Sequence, residues 1–403
     1  MSILSNKHIV LGVTGSIAAY KAADLASKLT QADAQVDVIL TGAAEKFVTP
    51  LTFQSVTGRR AYTDGDLWGN EAHVLHVGLG HAADLLVIAP CTANTIARLA
   101  HGQADNLLAV TTLAMRSPLL IAPAMDGGMY EHPATQENIE ILKKRGTTLI
   151  GPAEGHLASG LAGVGRMVET GEIMGHIRLL LGRHGLLAGK KIVVTAGGTQ
   201  EPLDPVRVLT NRSSGKQGYA IAQAALDMGA QVTLITTPTA LTPPIGARLV
   251  TVETAQQMLA AVLEETAESE ALVMASAVAD FRSKNIAKDK LKKVGGIPQV
   301  ELEATEDILK TVADRKLATK RPRVLVGFAA ESRDLLENAA HKLKSKGLDF
   351  IAANDISAND AGFAVETNRV TLLFADGREE ALALMSKAEV AEVIMGWVSK
   401  LLE

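Results

Sequence analysis

Residues 8–21 read HIVLGVTGSIAAYK: a short β-branched apolar run, a turn carrying Gly15 and Ser16, and the opening of a helix. The same alternation continues outward. Ala18 to Leu29 has helical periodicity, QVDVIL (35–40) and DLLVIAP (84–90) read as strands, Asn94 to Ala100 as a helix, and LLIAP (119–123) as a strand. Strands alternating with helices predict parallel pairing through helical crossovers, an α/β doubly wound sheet. Near residue 190 the layout restarts, because GKKIVVTAGG (189–198) repeats a basic residue, a β-branched run and a glycine turn. QVTLITTP (231–238), ALVMASAVAD (271–280), VLVGFAAE (324–331) and DFIAANDIS (349–357) supply four further strands for a second open sheet. The division is expected in the loop from Gly182 to Gly189, giving domains 1–185 and 190–403.

Bulk properties agree with this reading. A chain of 403 residues exceeds what one hydrophobic core supports, so two domains are expected. It is 47% hydrophobic but only 3% aromatic, which suits buried parallel strands covered by helices. Lys and Arg number 40 against 44 Asp and Glu, a net charge of −4, so no long-range field draws in nucleic acid or a membrane surface. Cys91 is the single cysteine, which excludes an intrachain disulfide and a multi-cysteine zinc site. The start runs straight into a strand without a signal-peptide pattern, and no apolar run approaches the ~20 residues of a membrane helix. A cytoplasmic location is expected.

In the first half, Gly15 and Ser16 follow a strand and open a helix, where free N–H groups favour a phosphate. Such a turn alone also serves backbone geometry. Thr41 to Pro50 (TGAAEKFVTP) and Ala89 to Thr95 (APCTANT) bring hydroxyls and an amide to two more strand ends, with Phe47 available to cover a flat ring. These segments, with His76, Leu79, Ala83-Asp84, Pro123-Ala124-Met125-Asp126, Met129 and Gly160 through Met167, resemble the phosphopantothenoylcysteine decarboxylase family, relatives of lantibiotic cysteine decarboxylases. The resemblance implies a flavodoxin-like flavoprotein domain with FMN held by Gly15, Ser16, Thr41, Phe47, Thr92, Ala93, Asn94 and Thr95. It implies oxidation of a cysteinyl thiol with FMN as acceptor, loss of CO₂, and return of hydride to the enethiolate. His76 is implied as the catalytic base or positive partner at the thiol, a role imidazole chemistry suits. Met125 and Asp126 are implied on the substrate side.

Two positions depart from that family. Asp126 stands where the family has an Asn that contacts the substrate carboxylate, and an ionised Asp repels it unless protonated or compensated. Ser159 stands where the coenzyme A enzymes have a cysteine proton donor, and a hydroxyl is a far poorer acid than a thiol of pKa ~8.5. Three explanations stand open: Ser159 relays to water, Cys91 is recruited, or the site is impaired.

In the second half, TQEPLDPVRVLTNRSSGKQG (199–218) is too long and polar for a simple strand-to-helix turn, and Ser213-Ser214-Gly215 reads as a helix cap that favours phosphate. The stretch closely resembles phosphopantothenate–cysteine ligases, and the match continues through Ala277 to Phe281, Lys290 to Lys293, Asp307 to Leu309, Gly327 to Glu331, Lys342, Lys346 and Ala353 to Asp355. The resemblance implies a Rossmann-like ligase domain in which CTP activates the carboxylate of 4′-phosphopantothenate as an acyl-cytidylate and the amine of cysteine displaces CMP. By position, Asn211 and Arg207 hold the acyl group, Asn211 donating to the developing oxyanion. Ala275, Ser276, Ala277, Asp280 and Phe328 are implied at the cytidine, Thr305, Glu306, Asp307 and Ile308 at the substrate, and Lys290, Lys342 and Lys346 at the triphosphate. Lys342 and Lys346 share one helical face by their i,i+4 spacing. Mg²⁺ is expected on phosphate oxygens and water, without a protein cage in sight. The resemblance also implies homo-oligomers, trimeric through the flavin half and paired through the ligase half. Rival readings are a nicotinamide oxidoreductase, which lacks its GxGxxG here, an active ligase with an FMN-binding regulatory module, and a flavin prenyltransferase, which leaves the second half unexplained.

Overall fold

The computed structural model describes residues 2–68, 74–292, 299–331, 334–355 and 366–403, and Lys293 of the ligase-like motif lies outside them. The chain forms two compact units, Met1–Leu181 and Gly182–Glu403.

Unit 1 runs β1 (His8–Val13), α1 (Ala19–Gln31), β2 (Gln35–Leu40), α2 (Pro50–Thr57), β3 (Ala61–Thr63), α3 (Leu75–Ala82), β4 (Leu85–Cys91), α4 (Ala93–His101), α5 (Leu107–Ala114), β5 (Leu119–Pro123), α6 (Gly127–Glu131), α7 (Pro133–Lys144), β6 (Thr148–Leu149), β7 (Ala153–His156), β8 (Ala162–Arg166) and α8 (Thr170–Gly182). The main sheet has the order β3-β2-β1-β4-β5-β6, with every pair parallel. Without the three-residue edge strand β3 this is the flavodoxin-like 2-1-3-4-5 order, and its switch point lies between β1 and β4. Central β1 shows why the apolar run is nearly continuous. Ile9, Leu11 and Val13 pack into one core with Leu25 and Leu29 of α1, while Val10 faces a second core with Ile96, Leu107 and Leu108. A strand buried on both faces needs apolar residues at both parities.

One buried charged cluster braces this sheet. Asp37 on β2 accepts from Arg59 Nε at 2.8 Å and Nη2 at 2.9 Å and bonds the His8 ring. The bond to Asp37 raises the His8 imidazole above its ordinary value against the opposing effect of burial. Burial alone would raise Asp37, yet its bonds from His8 and Arg59 hold it below the carboxylate range. His8 therefore stabilises fully below its unfolded value and loses that contribution as pH rises through its raised folded value. Asp37 stabilises above its unfolded value and loses its contribution as pH falls through the depressed one. Asp37→Asn removes one partner of a buried pair and is expected to cost about 3–5 kcal/mol. The difference from wild type should be largest between about pH 4 and 6.5, and urea melts across that range check it.

Unit 2 runs β9 (Lys191–Ala196), β10 (Gln200–Pro202), β11 (Val208–Thr210), α9 (Lys216–Asp227), β12 (Gln231–Thr236), β13 (Arg248–Thr251), α10 (Ala255–Glu265), β14 (Ala271–Met274), β15 (Phe281–Ser283), β16 (Leu302–Ala304), α11 (Ile308–Thr319), β17 (Val324–Glu331), α12 (Leu335–Ser345), β18 (Phe350–Asp355), β19 (Thr367–Asn368), β20 (Val370–Phe374), β21 (Glu379–Ala381), β22 (Met385–Ser386) and α13 (Lys387–Leu402). Its sheet has eight strands in the order β13-β12-β9-β14-β17-β18-β20-β21. The four strands read from sequence are β12, β14, β17 and β18. Beyond β18 the sheet turns antiparallel through β20 and β21, an edge the strand reading did not contain. The core gathers Val193, Ile235, Leu272, Leu325 and Ile351 against Met258 and Leu343 of the covering helices.

The helix cap also differs in detail from the expectation. α9 begins at Lys216, its N-cap is Gly215 at φ +77°, and no side chain caps it. The left-handed cap needs glycine, so the turn rests on Gly215 rather than on a serine hydroxyl.

Candidate functional site

At the carboxyl edge of the first sheet lies a cavity of ≈ 670 Å³. Gly15, Ser16, Thr41, Thr92, Ala93, Asn94, Thr95, Met125, Asp126 and Ser159 all line it. The loops are tied to one another. Thr14 Oγ1 donates to the Pro90 carbonyl at 2.8 Å and accepts from Thr92 N–H at 3.1 Å, joining the turns after β1 and β4. Asp64 accepts from Gly42 N–H at 3.2 Å and from Leu107 N–H at 3.1 Å, joining the turn after β2 to the start of α5. Asp64, Arg98, Asn106 and His156 also line this cavity and had no sequence assignment, and Arg166 of the matched 160–167 segment lines it with them. Asp64 carried no periodic or motif signal, whereas the strong N-cap of Asn106, accepting from Ala109 N–H at 2.8 Å, was legible as a capping residue.

The donor set fits a phosphorylated flat cofactor. No side chain caps the N-terminus of α1, which leaves it for an anion. A Cβ at Gly15 would fall 2.5 Å from Ala43 Cβ, so the first two loops approach closely because residue 15 has no side chain. Gly165 does the same on the far wall, where a Cβ would fall 2.2 Å from the Met125 carbonyl. Gly165→Ala is expected to introduce about 1–3 kcal/mol of overpacking and to weaken cofactor retention at least tenfold in a titration of the apoprotein. Unchanged affinity would contradict the close approach.

Asp126 and Ser159 meet. Ser159 Oγ donates to Asp126 Oδ2 at 2.7 Å, and Gly128 N–H donates to Asp126 Oδ1 at 3.0 Å, making Asp126 the N-cap of α6. These two bonds, the serine first, hold the Asp126 carboxyl below its ordinary range, so it is ionised at neutral pH. Cys91 is fully buried in β4, burial pushes its thiol pKa far up, and it is not among the residues lining the cavity. That removes the Cys91 explanation. His76 is half-buried in the first turn of α3 and Phe47 is 49% exposed, and neither is among the lining residues.

The second cavity, ≈ 570 Å³, opens at the carboxyl edge of the second sheet. Asn211, Ala275, Ser276, Ala277, Asp280, Thr305, Glu306, Asp307, Ile308, Phe328, Lys342 and Lys346 line it. Thr195 Oγ1 donates to Ser276 Oγ at 2.8 Å, Ala279 N–H donates to Thr199 Oγ1 at 2.9 Å, and Thr305 Oγ1 donates to the Ala279 carbonyl at 2.6 Å, which fixes the 275–280 turn. Asn211 Nδ2 donates to the Val278 carbonyl at 3.0 Å. The same nitrogen makes a longer bond to the Ala277 carbonyl at 3.5 Å, so the amide is oriented along the 277–278 backbone.

The two lysines sit as the i,i+4 spacing requires. Lys342 Nζ donates to the Phe328 carbonyl at 2.7 Å, and Lys346 pairs with Asp307 at 3.1 Å, the same Asp307 that caps α11. Arg207 and Lys290 are not among the lining residues. Asp204, which is buried, accepts from Val206, Arg207 and Leu291 N–H groups, and Arg207 Nη2 donates to the Leu291 carbonyl at 3.0 Å. Arg207 and the Leu291 segment next to Lys290 are thus latched together. Lys216, Gln217, Asn354, Asn368 and Lys387 also line it. Among the described residues no cluster of three or more His, Cys, Asp or Glu is placed to hold a metal.

Two doubly wound units, each with a cavity where nucleotides bind in such sheets, define a two-domain nucleotide-binding protein whose first unit has a flavoprotein site. Residues 2–182 match the Flavoprotein family, and residues 187–402 match the DNA/pantothenate metabolism flavoprotein C-terminal domain family. The coenzyme A biosynthesis bifunctional protein CoaBC of Bacillus subtilis (strain 168) is 44% identical over 406 residues, covering 99% of this chain and 98% of its own. The protein of that name from Mycobacterium tuberculosis (strain ATCC 25618 / H37Rv) is 45% identical over 401 residues, covering 96% and 95%. A crystal structure of the C-terminal domain of a CoaBC protein is 41% identical, with a TM-score of 0.46, and covers 54% of this chain and 98% of its own. The chain belongs to the family of coenzyme A biosynthesis bifunctional proteins.

Proposed function

We infer that the chain catalyses two consecutive steps of coenzyme A biosynthesis: CTP-dependent joining of 4′-phosphopantothenate to cysteine, then FMN-dependent decarboxylation of the product to 4′-phosphopantetheine. The observation that carries this reading is one relative of that name aligned across both units, 44% identical over 99% of this chain.

In unit 2, an amine cannot displace oxide from a carboxylate, so the carboxylate oxygen first bonds the α-phosphorus of CTP as pyrophosphate leaves. The amine then bonds the acyl carbon, and CMP departs with the electrons of the broken C–O bond. Asn211 is assigned the oxyanion, Arg207 the acyl group beside it, and Lys290, Lys342 and Lys346 the phosphates. Supporting this, Asn211, Lys342 and Lys346 share one cavity wall with the 275–280 turn. Mg²⁺ is assigned to phosphate oxygens and water.

In unit 1, FMN would supply two-electron redox chemistry when bound. The chain's own residues bind and orient: the α1 N-terminus takes the phosphate, and Thr41 and Thr92 to Thr95 line the cofactor. His76 and Phe47 are assigned to the site of a neighbouring copy in a homo-oligomer. Exposed Ile17, Tyr20, Leu51 and Met129 give an apolar surface for such a contact. The substrates are small molecules, and a cytoplasmic setting is assigned with them. No helix among the described residues is long and apolar enough to cross a membrane.

The test is dependence on each reactant. CMP should form only when CTP, 4′-phosphopantothenate and cysteine are all present, and purified protein should take up one FMN per chain by absorbance. CMP release indifferent to cysteine, or no FMN uptake, would count against the corresponding step.

A further inference from the structure

One end of the second cavity is built from segments to which the ligase assignment gives no task. Lys216 and Gln217 open α9, Asn368 ends β19 and Lys387 opens α13, and all four line the cavity together with Asn354. The corner is held by β19 pairing with β22, Thr367 opposite Ser386 and Asn368 opposite Met385.

Hydrogen-bond logic fixes the amides. The Lys387 backbone carbonyl can only accept, so Gln217 presents Nε2 to it, at 3.2 Å. Gln217 Oε1 then faces Asn368 and receives Asn368 Nδ2 at 2.8 Å. Asn368 Oδ1 is left as an acceptor. No described residue donates to it, although Asn368 is only 3% exposed. Asn354, 8% exposed, has its Oδ1 in the same condition. Buried acceptors without donors are costly and uncommon, so two on one cavity wall point to a donor that a ligand brings.

Beside these oxygens stand the amines of Lys216 and Lys387. Lys216 is paired with Glu366. Burial, and then the charge of Lys216, lowers the Lys387 amine below its ordinary range, with Glu366 opposing. A ligand that matches this wall carries a negative group and N–H donors together. Phosphates at neutral pH offer acceptors and so leave both amide oxygens unmet. An α-amino acid offers a carboxylate and an amine two bonds apart.

We propose that this corner holds the amino-acid substrate of the ligase step, its carboxylate toward Lys216 and Lys387 and its amine toward Asn354 and Asn368. The proposal rests on the ligase reading. It places the nucleophile in the same chamber as Asn211, where the acyl group is activated.

The test uses the full chain with Asn368→Ala and Lys387→Met, at saturating CTP and 4′-phosphopantothenate. The KM for cysteine should rise tenfold or more in each, while pyrophosphate release from CTP and 4′-phosphopantothenate without cysteine stays within twofold of wild type. That half-reaction is also the folding control. Cysteamine, which lacks the carboxylate, separates the two contacts: Lys387→Met should lose the wild-type preference for cysteine over cysteamine, and Asn368→Ala should weaken both amines alike. An unchanged KM for cysteine would overturn the proposal. So would pyrophosphate release falling in step with the overall rate, because the corner would then serve the nucleotide phosphates. A wild-type chain releasing no pyrophosphate would overturn the ligase reading and this proposal with it.

Discussion

Asn211→Ala should lower the rate at which cysteine displaces CMP from the acyl-cytidylate by about 10²–10³, with little change in CTP affinity. The side chain is already oriented by its bonds to the Val278 and Ala277 carbonyls, so only the longer of the two has to give way for an N–H to meet the oxyanion. A preorganised donor acts most strongly where charge develops, and its loss therefore appears in kcat rather than in ground-state binding. Single-turnover CMP release on adding cysteine to preformed acyl-cytidylate measures this directly, with pyrophosphate release beforehand as the control. A change confined to the KM for CTP would mean that Asn211 binds nucleotide and does not stabilise the oxyanion. Asn211→Asp should be equally slow, because it keeps the shape but replaces a donor with an acceptor.

Ser159→Ala should lower formation of 4′-phosphopantetheine by about 10²–10⁴, the usual range for a lost proton-transfer group, while CO₂ release falls less than tenfold. Ser159 donates to an ionised Asp126, and Asp126 in turn is held by Gly128 N–H. An ionised carboxylate cannot itself donate a proton, and buried Cys91 is out of reach of the cavity. On the relay reading, Ser159 passes a proton from water and Asp126 fixes its orientation. In a single turnover, one equivalent of decarboxylated enethiol per reduced flavin should remain in the variant, detectable by mass. Equal losses of CO₂ and of final product would instead place Ser159 in substrate binding.

The sequence was most informative where contacts are local or strictly periodic. HIVLGV had to be a strand buried on both faces, because apolar residues occupy both parities, and the turns after β1, β2 and β4 converge on one cavity as strand-end loops in a doubly wound sheet do. Lys342 and Lys346 fall on one helix face by spacing alone and do line the second cavity. What escaped reading depends on distant partners. Asp64 gains its place from bonds to Gly42 and Leu107, and nothing beside it in sequence marks that role. The corner of Gln217, Asn368 and Lys387 joins residues some 150 to 170 positions apart. The pairing of Asp126 with Ser159 was also invisible: two departures from a family pattern looked like separate defects until one hydroxyl was found donating to the other's carboxylate. His76 was read from resemblance and Phe47 from its place in a strand-end loop, and the geometry of one copy does not bring either to the cavity.

The most direct measurement supplies purified protein with FMN, CTP, Mg²⁺, 4′-phosphopantothenate and cysteine, and follows CMP, CO₂ and the phosphorylated products by mass. The account predicts CMP and CO₂ in equal amounts with 4′-phosphopantetheine as the end product. CMP with phosphopantothenoylcysteine accumulating and no CO₂ would contradict it, leaving a ligase joined to a flavin-binding unit that does not decarboxylate.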